Sequence, residues 1–152
     1  MRHLRPVSLL LLGILFSVVT SATPVAAKAL PTMAPADLVA MMAKKTAPQP
    51  LIIQVGFKSL FDQAHIPGSE YIGPGADGTG LGALRKRLAT VKKDALIVIY
   101  CGCCPLDHCP NVKPAEELLQ SMGFTNAKML LIPNNFGADW VSKGYPTEKS
   151  KK

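Results

Sequence analysis

Apolar residues along this chain fall into two kinds of segment, short continuous runs and stripes with helical spacing. Leu38, Met41 and Met42 share one face of a segment at residues 31–45, which predicts a short helix stopped by Pro48 and Pro50. Residues 51–55 form an apolar run of strand length. Residues 59–64 fit a helical turn, and His65, Ile66, Pro67 and Gly68 then read as a turn. A glycine-rich loop at 73–80 follows, without the Gly-Lys-Ser/Thr ending of a phosphate-binding loop. Leu81, Leu84, Leu88 and Val91 mark the next helix. Residues 95–100 are the clearest strand: β-branched, continuous and without alternation, as suits a strand buried on both faces of a parallel sheet.

Beyond that strand, Asn111 is a good helix N-cap. Val112, Ala115, Leu118, Leu119 and Met122 form an apolar stripe, and Gly123 is a natural helix end. A strand at 127–132 and a short helix at 136–143, carrying Trp140, complete the pattern. Alternating strands and helices predict a three-layer α/β domain, with a central mainly parallel sheet flanked by helices. Ligands of such sheets bind at the carboxyl ends of strands.

Composition changes the picture at the N-terminus. The 152-residue chain is 48% hydrophobic and 18% charged, with a formal net charge of +7. Arg2 and Arg5 precede an apolar run at 7–19, and small residues follow up to Ala29. This is the layout of a secretory signal peptide, and the run falls short of the roughly 20 residues a membrane span needs. Cleavage after Ala22, Ala27 or Ala29 fits the small-residue pattern; the last leaves a single domain at 30–152. Removing Arg2, Arg5 and Lys28 lowers the charge by three, to +4. The protein is therefore expected to be exported, periplasmic or extracellular, meeting a membrane only through its leader. The remaining basic clusters lack interleaved aromatics and read as solvated helix faces, which argues against nucleic-acid binding.

The four cysteines concentrate the chemistry. Cys101, Cys103, Cys104 and Cys109 lie within nine residues, where a disulfide scaffold would spread them along the chain. Cys101 ends the clearest strand and leads through a loop into a helix start, where backbone N–H groups and the helix dipole favour a thiolate. That makes Cys101 the candidate nucleophile. Cys103, Cys104 or Cys109 could attack a modified Cys101 and leave a disulfide. Cys101 and Cys104 have redox-pair spacing, and a resting disulfide would pair Cys109 with Cys103 or Cys104. Four thiols beside His108 also suit soft ions such as Cu(I) or Zn(II). However, the second cysteine pair of a zinc-knuckle site is missing, and adjacent Cys103 and Cys104 seldom share an ion. No metal or other cofactor is therefore expected.

Four patches resemble the rhodanese-like domains, in that family's order. Residues 51–55 stand where the family has its first buried strand, and 64–69 match its signature turn. Residues 95–101 resemble the strand that delivers its catalytic cysteine. Residues 118–124, a following strand, Asp139-Trp140 and Gly144-Tyr145-Pro146 match its C-terminal end. The resemblance covers roughly 34 to 146. It implies a sulfurtransferase, expected to be monomeric, in which Cys101 accepts a sulfane sulfur from a small donor and passes it to a thiol. N–H groups from Gly102 to Cys109 would cradle the terminal sulfur. The chain departs from the family where Gly102 replaces the first arginine of a longer loop that contains none. His108 and Lys113 are the cations available in place of arginine. Gln54 and Gly56 stand in for an Asp and an Arg, and Asn134-Asn135 for a Gly-Gly pair. A thiol–disulfide redox protein and a thiolate metal-binding domain are the competing readings.

Overall fold

The computed structural model describes residues 29–44 and 48–150; the leader expected at 1–29 lies almost wholly outside them. Within them the chain folds as β1 (Thr32–Met33), α1 (Pro35–Ala43), β2 (Leu51–Gln54), α2 (Lys58–Gln63), β3 (Glu70–Tyr71) and α3 (Gly78–Leu88). It continues through β4 (Ile97–Tyr100), α4 (Val112–Ser121), β5 (Ala127–Leu130) and α5 (Phe136–Asp139), with 3₁₀ turns at Leu106–His108 and Val141–Lys143. The five strands form one sheet in the order β1-β5-β4-β2-β3. Every pairing is parallel, with Gln54 beside Tyr100 and Ile99 beside Met129.

The predicted three layers are present, and the centre of the sheet shows why β4 lacks alternation. Ile97 and Ile99 face one core with α3 and α4, built on Leu84, Leu88, Ala115, Leu118 and Leu119. Val98 and Tyr100 face the other, with Leu38, Phe136 and Trp140. A strand covered on both sides must be apolar at every position. The alternation continues past the strand, so Cys101 belongs to the α3/α4 side. Met41 and Met42 pack against the opposite core as partly buried hydrophobic residues.

Several boundaries differ from the sequence pattern. The segment at 31–44 is a two-residue strand plus a helix: Thr32 and Met33 join β5 before Pro35 starts α1. α3 begins inside the glycine-rich loop because the Asp77 carboxylate caps the N–H of Thr79 at 2.7 Å. That loop approaches its surroundings so closely that a Cβ on Gly75 would lie 1.9 Å from the Asn111 carbonyl. His65 is structural. Its ring stacks on Phe61 at 3.8 Å, its Nδ1 donates to the Phe61 carbonyl at 2.7 Å, and its backbone exchanges hydrogen bonds with Glu148. Tyr100 holds the same turn by accepting from the Ile66 N–H at 3.3 Å and pairing with Ser69 at 3.1 Å.

Candidate active site in the cysteine loop

β4 delivers Cys101 to the carboxyl end of the sheet beside the end of β2. The two strands are joined there by a hydrogen bond from Val55 N–H to the Tyr100 carbonyl, and Gln54 Nε2 donates to the Cys101 carbonyl at 3.2 Å. Gly56 makes room for the thiol, since a Cβ there would sit 2.8 Å from Cys101 Sγ. At Gly102 the backbone turns through φ +81°, and a Cβ would lie 2.6 Å from Cβ of Phe136. Both departures fall where a side chain would be crowded: one at Gly56 would meet the Cys101 thiol, and one at Gly102 would meet Phe136.

The loop then closes on itself. Leu106 N–H bonds to the Ile132 carbonyl at 3.0 Å, anchoring the 3₁₀ turn to the end of β5. This brings the thiols together. Cys101 Sγ lies 3.2 Å from Cys103 Sγ, which is 3.1 Å from Cys104 Sγ and 3.9 Å from Cys109 Sγ. All four are free thiols; Cys101 and Cys109 are buried, while Cys103 and Cys104 are half-buried. Two open clefts flank the cluster. One of about 760 Å³ is bordered by Gly102, Cys103 and Phe136, and another of about 590 Å³ by Cys109, Val112, Lys113 and Met129.

Asn111 was expected to cap α4, and it occupies the cap position without making that bond. Its side chain instead accepts from the Ala76 N–H at 3.1 Å and donates from Nδ2 to Cys101 Sγ at 3.5 Å. An asparagine beginning a helix looks like a cap in any sequence, so this contact had no separate signal. Gln54 and Asn111 are buried polar residues that both hydrogen-bond to Cys101 and hold it in place.

The electrostatics also differ from the simple helix-dipole expectation. The loop favours an anion on Cys109 instead of Cys101. Cys109 is pulled down to about 5, first by the hydrogen bond it receives from Cys101 and, against its burial, by the N–H groups of Asn111 and Val112. The Cys101 thiol is pushed up because it gives that hydrogen bond and is buried, although the Cys103 N–H points back at it. Cys104 is raised to about 12 by desolvation and by its hydrogen bonds to Cys103 and Cys109. The long loop adds to this by placing Cys109, not Cys101, immediately before the first turn of α4, within reach of the Asn111 and Val112 N–H groups.

The expected cations face solvent. His108 pairs with Asp107 at 3.0 Å, Lys113 lies 3.8 Å from Glu117, and both His108 and Lys113 side chains are 79% exposed. Asn134 and Asn135 precede α5, whose start they organise through Asp139 and the Ala138 N–H.

A five-stranded parallel sheet between helical layers, with a cysteine loop leaving its central strand, defines a class of α/β domain. Its fold is that of the rhodanese-like domains. A rhodanese-like domain of a protein from Anabaena superposes with a TM-score of 0.59 at 22% identity, covering 79% of this chain and 80% of that one. A thiosulfate sulfurtransferase from Pseudomonas aeruginosa gives a TM-score of 0.57 at 19% identity, covering 80% of this chain but 20% of that larger one. A protein from Rhodopseudomonas palustris, described as of unknown function and a possible tyrosine phosphatase, gives 0.56 at 21% identity, with 78% and 85% covered. No family profile matches the chain, and no curated protein matches it.

Proposed function

We propose that this chain is a sulfurtransferase that carries sulfane sulfur as a persulfide on Cys101. The observation carrying the reading is the position of Cys101 at the end of the central strand of a rhodanese-like fold, where Asn111 Nδ2 and the Cys103 N–H both face its sulfur. With thiosulfate as donor, the Cys101 sulfur attacks the outer sulfur and sulfite leaves with the electron pair of the broken S–S bond. The attacking species is the Cys101 thiolate, and the proton it gives up returns to the new persulfide, so thiol plus thiosulfate becomes persulfide plus sulfite. A small thiol acceptor then takes the outer sulfur and restores the Cys101 thiol.

Cys103 offers a second exit. At 3.2 Å from Cys101 it can attack the inner sulfur, forming a Cys101–Cys103 disulfide and releasing hydrogen sulfide. The leader-like segment supports action outside the cytosol, where an external dithiol would have to reset that disulfide. Phosphate-ester chemistry is a weaker reading, because the loop holds no arginine to grip a phosphate and the His108 and Lys113 side chains face solvent. Intact-mass measurement of the reduced protein after incubation with thiosulfate, or with a persulfide donor, tests the proposal. One added sulfur is expected on the wild type and none on Cys101→Ser; an unchanged adduct on Cys101→Ser would refute it.

A further inference from the structure

The sequence argued against a metal because the loop lacks the second cysteine pair of a zinc knuckle. Folding supplies what the spacing does not. Among the described residues, the Sγ atoms of Cys101, Cys103 and Cys109 all lie within 4.8 Å of one another. From these positions we infer that the loop is a three-thiolate site for Cu(I), a binding role separate from sulfur transfer. An ion at the centre of three sulfurs with bonds of about 2.3 Å holds them about 4 Å apart. The separations here of 3.2 Å between Cys101 and Cys103, and 3.9 Å between Cys103 and Cys109, need only small side-chain rotations to reach that triangle.

The choice of ion follows from the donor set. Thiolates select soft ions, and Zn(II) in a closed site takes four protein ligands. The group that could hold an ion here has three, and His108 is turned to solvent beside Asp107. Cu(I) accepts three thiolates without a fourth ligand. Cys104, although 3.1 Å from Cys103, lies outside the group of three. Coordination joins Cu(I) to three thiols with loss of their protons, leaving a complex of net negative charge in a buried pocket. The protein supplies donors to oppose that charge: Asn111 Nδ2 toward Cys101, the Cys103 N–H toward the same sulfur, and the Asn111 and Val112 N–H groups toward Cys109. Half-buried Cys103 borders the larger cleft and Cys109 the smaller, so an incoming ion meets a ligand from either side.

Anaerobic titration of the full, reduced chain with Cu(I) against a chromophoric Cu(I) chelator tests the inference. A single Cu(I) per chain withheld from the chelator is expected, with X-ray absorption showing three sulfur neighbours. Cys101→Ser, Cys103→Ser and Cys109→Ser should each weaken binding by more than the roughly 10- to 100-fold that loss of a supporting contact costs. Asn111→Ala should fall within that range, and Cys104→Ser should bind as the wild type does. Trp140 fluorescence confirms that each variant is folded. Equal losses in Cys104→Ser and Cys103→Ser, a four-sulfur shell, or tighter retention of Zn(II) than of Cu(I) would overturn the three-thiolate site. None of these readouts depends on sulfur transfer, so the two proposals succeed or fail separately.

Discussion

Gly102→Ala tests the geometry on which the whole loop depends. Gly102 has φ +81°, and an added methyl carbon would lie 2.6 Å from Cβ of Phe136. The left-handed conformation costs an alanine roughly 1–2 kcal/mol. Overpacking against Phe136 adds about 1–3 kcal/mol, because Phe136 is itself wedged between Tyr100 and Trp140 at ring separations of 5.5 and 5.8 Å. Gly123 provides the control. It has φ +77° with nothing within 4 Å of its hypothetical Cβ, so Gly123→Ala should show the backbone cost alone. Urea unfolding followed by Trp140 fluorescence measures both. With a slope of about 1–3 kcal/mol per molar urea, Gly102→Ala should unfold earlier than Gly123→Ala by roughly 1 M. Equal midpoints would refute the close approach of the loop to α5, and with it the explanation for the missing arginine.

The same structure predicts smaller and larger effects elsewhere. Tyr100→Phe removes the acceptor of the Ile66 N–H from a fully buried position and should cost about 1–3 kcal/mol in the same unfolding assay, whereas a neutral result would contradict that hydrogen bond. Arg87 grips both carboxylate oxygens of Glu70, but the pair is more than one-third exposed. Arg87→Ala should therefore lower stability by about 0–1 kcal/mol, less still in high salt. The double variant His108→Ala/Lys113→Ala should load sulfur at the wild-type rate by stopped mass analysis, because both side chains face solvent. A large loss would show that a loop cation does the work of the missing arginine.

What could be read from the residues depended on how local its cause is. β4 and α4 were visible because Ile97–Tyr100 and the Val112, Ala115, Leu119 stripe carry their burial pattern in consecutive residues. β1 and β3, of two residues each, were not, since they exist as strands only by pairing with β5 and β2. Cys101 was found as a strand-end residue. The partition of charge within the loop is hidden in the sequence, because it depends first on the contact between Cys101 and Cys109 and then on the extra length that carries Cys109 to the start of α4. The gathering of Cys101, Cys103 and Cys109 was hidden for a related reason: it follows from the 3₁₀ turn anchored on Ile132, a contact no cysteine spacing reveals. Asn111 reads as a helix cap yet makes no cap bond, since nothing in its neighbours shows that the glycine-rich loop approaches with the Ala76 N–H.

The sulfur-carrier account is tested most directly in a chain whose only cysteine is Cys101. In Cys103→Ser/Cys104→Ser/Cys109→Ser, thiosulfate should still add one sulfur by intact mass, and a thiol acceptor should remove it. A folded variant that takes up no sulfur would contradict the assignment of Cys101 as the carrier.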